Sequence, residues 1–158
     1  MNTPFFRLIL VIIAIIALTI LPLPTFLGLF RPAWVLMLAL FLQLLAPQLF
    51  SVLLVVLLGL SLDVLLATVM GEHVLALAFT AWIASSKARR FHLFTLGQQS
   101  ALVGVSVIIY QLTLASIEAM LGNHLSYWSL VFAPLTSAFI WPWMRFIVGD
   151  ALRLGLKA

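Results

Sequence analysis

Few residues in this chain could do chemistry, and the candidates gather in one stretch. Asp63 stands inside a leucine run, "GLSLDVLLATVMGEHVLAL" (residues 59–77), with Glu72 and His73 just beyond it. An acid followed by a Glu-His pair raises three possibilities: a proton relay, a metal site, or general acid-base catalysis. A relay needs a second acid at the same depth, and the only other deep acid, Glu118, lies one turn from the end of its own apolar run. A single Glu-His pair with no further His or Asp offers too few ligands for a metal. The three histidines do not converge either: His73 and His124 fall in turns on one side, and His92 in a loop on the other. No nucleophile, base and orienter can be assembled, and no glycine loop cradles a phosphate. Neither metal nor cofactor is expected, and the chain reads as a non-enzyme, with an activity resting on Asp63 alone as the open exception.

The segments that must position these residues are apolar throughout. Of 158 residues 65% are hydrophobic and 8% charged, against roughly 25% charged in an ordinary soluble domain, which makes this an integral membrane protein. There is no cysteine, hence no disulfide framework. The net charge of +4 sits in clusters between apolar runs, a pattern of membrane orientation and not of nucleic-acid binding. Taking about 17–25 apolar residues per crossing, the candidate spans are residues 6–21, 33–47, 49–69, 74–87, 98–120 and 128–147. The first begins like a signal peptide, but its run ends in Leu21-Pro22-Leu23-Pro24 with no small-residue cleavage site, so it is read as an uncleaved span. Segment 33–47 is short, either kinked at Pro47 or re-entrant, which leaves five crossings as the alternative to six. With no linker, low-complexity tract or repeat, the expected fold is one all-α membrane domain, a compact bundle of six or five transmembrane helices.

Orientation follows from the cations. With six spans and both termini inside, Arg7, Lys87, Arg89, Arg90, Arg145, Arg153 and Lys157 are cytoplasmic and only Arg31 is outside. Five spans with the N-terminus outside merely exchange Arg7 and Arg31, so charge fixes the last four spans and not the first two. All five tryptophans are expected near an interface, Trp34 and Trp128 outside, Trp82, Trp141 and Trp143 toward inner ends. The loop "KARRFHLFTLGQQ" (residues 87–99) reads as a basic cytoplasmic surface resting on anionic lipid or docking a partner. The four-residue spacing of Arg145, Gly149, Arg153 and Lys157 makes the tail, residues 148–158, an interfacial amphipathic helix.

A central Asp costs about 2.5–3.5 kcal/mol on the insertion scale, while the Leu, Val and Phe residues of 49–69 return about 4–9 kcal/mol. The helix still inserts, but the acid must face the bundle or a wet cavity. Gly59, Asp63, Ala67 and Gly71 recur every four residues, one stripe on which a neighbouring backbone can approach closely. Gly71 is expected to stop the helix. Asp63 is then either a hydrogen-bonding link across a tight helix pair or part of a pocket near the outer leaflet. Arg31, the lone outward cation, is expected to pair with Glu72 or with a partner. Pro142 in "WPW" is expected to kink the last span.

At this point the residues carry a family likeness. "LFRPAWVLMLAL", "GLSLDVLLATVMGEHVLAL" and "FIWPWM" resemble MreD, the small polytopic rod shape-determining family of bacterial inner membranes. The matching positions are Arg31, Pro32 and Trp34; Gly59 and Asp63; Gly71 and Leu75; and the pair Gln98-Gln99. Ala67-Thr68 departs from the family pattern, which has glycine or serine-glycine there. The resemblance implies a fold like the S components of energy-coupling-factor vitamin transporters. It also implies an inner-membrane, multi-pass member of the cell-elongation complex, working with MreC, MreB filaments, RodA and its transpeptidase in peptidoglycan synthesis. Arg31, Trp34, Asp63, Glu72 and His73 would then meet MreC, and the basic loop would face the filament. The rival is an S-component-like vitamin-binding transporter subunit, though such a pocket needs several convergent polar groups.

Overall fold

The computed structural model describes residues 4–21, 31–91, 93–122 and 129–152. Among these the chain is entirely helical, in the order α1 Pro4–Ile20, α2 Trp34–Leu45, a 3₁₀ turn Pro47–Leu49, α3 Val52–Leu66, α4 Glu72–Ser85, the short α5 Ala88–Phe91, α6 Leu96–Met120 and α7 Ser129–Ala151.

The boundaries have local causes. Pro47 cannot donate into a continuing helix, so α2 stops and a 3₁₀ turn follows. Ser51 then caps α3, its Oγ accepting the Leu54 N–H at 3.1 Å. Thr95 and Gln98 form a reciprocal capping box that starts α6. Helix α7 runs through both Pro134 and Pro142 without a break.

Helix α2 is the axis of the bundle. It is apolar on every side, and every residue from Val35 to Ala46 is buried, the condition of a helix wrapped by its neighbours. Its 12 residues make only about 18 Å of helix. The side chain of Gln43 reaches the Ala81 carbonyl on α4 at 2.7 Å, and the Ala33 N–H donates to Ser137 Oγ on α7 at 3.1 Å. Below α2, Trp141 is fully buried between Phe41 and Phe91, with ring centroids 6.5 and 6.1 Å away. Trp141 is therefore a core residue and not the interfacial anchor its position in the sequence implies. Trp82 and Trp143 are exposed.

The polarity is turned outside in. Large apolar side chains such as Ile13, Leu53, Phe139 and Ile147 are exposed, whereas Asp63, Glu72, Gln99 and Ser137 are buried. Two helices, Leu96–Met120 and Leu130–Ala151, are long and apolar enough to cross a membrane. Helix α7 runs on through residues 148–151, with Val148 and Leu152 packed into the core, and the rest of the expected tail, residues 153–158, lies outside the described residues.

The two ends of the bundle are distinct. Thr19 in the last turn of α1 shares a chamber with Arg31, Leu66, His73 and Leu130, while Leu10 shares a groove with Ile147 and Ala151. The start of α1 and the end of α7 thus lie at one end, together with the α4–α6 connection; the Asp63 turn lies at the other.

Helices α3 and α4 touch most closely at Gly59. A Cβ there would stand 2.6 Å from Val74 Cα and 2.8 Å from Val74 N, backbone atoms that cannot yield. Gly104, facing Ala138 Cβ across α6 and α7, would place a Cβ at 3.4 Å, an ordinary contact. Gly59→Ala should therefore destabilise the protein by about 1–3 kcal/mol through overpacking, and Gly104→Ala by little. Thermal unfolding of the two variants in one detergent, followed by loss of helicity, tests the contrast; equal midpoints would contradict it.

Candidate functional site

The α3–α4 turn is built around one carboxyl group. Ala67 ends α3 in the left-handed region at φ 52°, and Gly71 begins α4 at φ 98°. Between them the chain folds back so that Asp63, almost fully buried on the last turns of α3, faces the N-terminus of α4. Asp63 Oδ2 accepts the Gly71 N–H at 2.7 Å, and Oδ1 accepts the His73 N–H at 3.0 Å. His73 Nδ1 lies 2.9 Å from the same Oδ1. Thr68 Oγ1 completes the cluster with longer contacts, 3.4 Å to Oδ1 and 3.3 Å to His73 Nδ1.

This arrangement is a helix cap supplied from a different helix. The first N–H groups of α4 lack partners within the helix, and its capping residue, Gly71, has no side chain to offer. Asp63 takes that part from α3, and the positive end of the α4 dipole favours an acidic oxygen there. Each such N–H bond is worth about 0.5–1.5 kcal/mol net, and leaving the N–H buried and unmet would cost about 1–3 kcal/mol.

The expected stripe is corrected in part. Gly59 makes the close contact and Asp63 is buried. Ala67, however, is exposed and is the left-handed end of α3. Gly71 does not stop α3 and packs closely against nothing; its positive φ starts α4. A residue four positions on shares a face only while the helix lasts, and α3 ends at Leu66. At Ala67, held in the left-handed region, a glycine would relieve strain.

Beside this turn lies a chamber of about 200 Å³, lined by Arg31, Trp34, His73, Tyr110 and Gln111 among others. Arg31 makes no ion pair with Glu72 among the described residues, contrary to expectation: its Nε and Nη2 are buried without a hydrogen-bonding partner there, as is Gln111 Oε1. Glu72 is buried at the first position of α4. Arg31, Trp34 and His73 are therefore brought together, Asp63 holds His73 from behind, and Glu72 adjoins them in the chain.

The basic end is organised differently. Lys87 and Arg90 are exposed. Arg145 is not a free cation: its Nη1 donates to Gln99 Oε1 at 2.8 Å, and Gln99 Nε2 donates to the Phe94 and Phe91 carbonyls at 3.1 and 3.4 Å. The loop is thereby tied to α6 and α7. The backbone of Arg89 lies in α5; Arg153 and Lys157 lie outside the described residues, as do Trp128, His92 and His124. The parts played by Gln43, Gln99 and Gln111 went unread in the sequence, although an amide inside an apolar run is the same kind of signal as Asp63.

An apolar exterior, polar side chains spent on internal bonds and two helices of spanning length are the build of a membrane protein whose buried polar groups hold its shape. The comparisons with known proteins agree. The chain belongs to the MreD family, the rod shape-determining proteins, whose family model matches residues 1–148. It is similar to the rod shape-determining protein MreD of Haemophilus influenzae, 28% identical over 136 residues that cover 86% of this chain and 83% of that relative. No solved structure matches it.

Two substitutions separate the carboxyl group from the turn it shapes. Asp63→Asn places an amide N–H against the Gly71 or the His73 N–H, and should cost about 1–3 kcal/mol. Ala67→Gly removes the left-handed penalty and should gain about 1 kcal/mol. Unfolding midpoints in detergent, compared with those of the parent chain, should move in opposite directions.

Proposed function

We propose that this chain is a non-enzymatic, multi-pass component of the bacterial inner membrane that serves cell elongation, holding MreC on one side and facing MreB filaments on the other. What carries the reading is the family match along residues 1–148, supported by a buried acid whose hydrogen bonds are spent within its own turn and not on a reaction. The MreC contact is assigned to the end that holds Arg31, Trp34, Asp63, Glu72 and His73. Its surface there is the turn that Asp63 shapes, where Val69 and Met70 are exposed. The filament, with RodA and its transpeptidase in the same complex, is assigned to the end bearing Lys87, Arg90 and the Arg145-tied loop. Both termini then face the cytoplasm, six helices cross, and the bundle takes the S-component-like architecture that the family likeness implies. A vitamin-binding role gains little: the polar chamber, about 200 Å³, is small beside the roughly 300–1,000 Å³ of small-molecule sites, and the larger groove of about 530 Å³ is lined by apolar side chains.

Depleting this protein in its host should turn rods into spheres, with rods restored on re-expression; unchanged rods in a host lacking a second copy would refute the elongation role. The contact surface is tested separately. Met70→Asp changes only an exposed side chain, so it should lower MreC co-purification while leaving the unfolding midpoint in place. Undiminished co-purification of both Met70→Asp and Asp63→Leu would move the contact elsewhere.

A further inference from the structure

A second cavity lies on the flank where α1 meets α7. It is a groove of about 530 Å³, lined by Leu10, Ala14, Leu18, Trp143, Ile147 and Ala151 among others, and no carboxylate, amide, hydroxyl or cation lines it among the described residues. It opens to the outside of the bundle, since Leu10, Leu18, Trp143 and Ile147 are all exposed. Whatever fills it in the membrane is apolar. Its dimensions then choose between a protein helix and a hydrocarbon chain. From Leu10 to Leu18 the groove follows about 12 Å of α1, and from Ile140 to Ala151 about 16 Å of α7. That is close to the depth of one leaflet, about 15 Å. A volume of about 530 Å³ spread over about 14 Å leaves a section of about 40 Å², half the roughly 80 Å² of a helix about 10 Å across. A helix is too wide to enter, whereas a hydrocarbon chain carries no side chains and fits.

The walls are chemically blank, but one end of the groove is marked by charge. Arg7 precedes Leu10 by three positions and Val11 by four, so it shares their face of α1, one turn nearer the helix start. Side chains on a helix lean toward its N-terminus, which carries the guanidinium further out of the apolar layer. Arg7 is half-buried and makes no ion pair among the described residues, not even with Asp150, which is exposed in the last turn of α7. A cation thus stands where the headgroup of a lipid must sit if its tail fills the groove. Arginine's planar fork matches phosphate oxygens, and a zwitterionic headgroup brings its own cation to compete for them. We propose that the α1–α7 groove holds one acyl chain of an anionic phospholipid, with the phosphate on Arg7. An orienting cation alone needs no groove above it, and a groove alone selects no headgroup; the two together define one ligand. The site is separate from the chamber at the Asp63 turn, with which it shares only the wall formed by Trp34.

The test is native mass spectrometry of the full chain, delipidated in a mild detergent and titrated with phosphatidylglycerol and with phosphatidylcholine of the same acyl chains. The parent should retain phosphatidylglycerol more tightly. Arg7→Gln should weaken phosphatidylglycerol about fivefold, the worth of one cation near an anionic surface, and leave phosphatidylcholine unchanged, so that the preference disappears. Arg7→Lys, which keeps the charge, should keep most of the preference. Ala14 is an exposed wall of the groove, and Ala14→Phe should abolish both adducts at concentrations that saturate the parent. Ala17, also exposed but off the groove, is the control, and Ala17→Phe should abolish neither. Where Ala14→Phe lowers the unfolding midpoint, Ile147→Trp, which narrows the groove from the α7 side, takes its place. Equal phosphatidylglycerol binding by Arg7→Gln and the parent would overturn the proposal. So would adducts that survive the filled groove, and loss of MreC co-purification in that variant with its lipid intact would assign the groove to a protein helix instead.

Discussion

The hydrogen bonds from the start of α4 to the Asp63 carboxyl group are the constraint on which the rest of this bundle depends. They fix where α3 ends, how the chain reverses and how α4 begins. With that turn set, Gly59 meets the Val74 backbone, and the paired helices become one rigid unit against which α2 and α6 pack. A leucine in place of the acid would insert into the membrane more readily, yet it would leave the first N–H groups of α4 without a partner. The acid is thus retained at an insertion cost that its hydrogen bonds offset.

The same logic recurs at each level of the bundle. Ser137 receives the N–H that precedes α2, Gln43 reaches the Ala81 carbonyl, and Gln99 joins Arg145 to the Phe91 and Phe94 carbonyls. Apolar contacts cannot tell one helix pairing from another when lipid is as apolar as leucine. A few directional bonds, each tying a side chain on one segment to a group on another, supply the specificity.

How much of this was legible in the sequence follows from what each residue reports. The helices arise from apolar runs, and Asp63 and Gly59 stood out because an acid and a glycine in a leucine run have no other reason to be there. Ala67 was misplaced because periodicity assumes a helix that continues, and nothing in its residue type marks a left-handed end. Trp141 was misassigned because an indole near a span end serves equally as an anchor or as a core residue; only its position between Phe41 and Phe91 decides. The chamber was unreadable, since Arg31 and Gln111 are far apart in the chain and their shared lack of partners is a property of the folded bundle. Even so, the likeness carried by Arg31, Trp34, Gly59, Asp63 and the glutamine pair pointed to the family that the comparison along residues 1–148 shows.

The complete burial of α2 bears on how the protein is made. This helix leaves the ribosome second, when α1 is the only other element present, yet its finished surroundings come from helices synthesised later. Gln43 has no carbonyl to bond until Ala81 exists, and the Ala33 N–H none until Ser137 does. At about 18 Å it is also too short to match a bilayer alone. Its final placement therefore belongs to the end of biogenesis, when α7 closes over it, and a chain interrupted before α7 would hold its central helix half-covered, with Gln43 bonded and the Ala33 N–H still unspent.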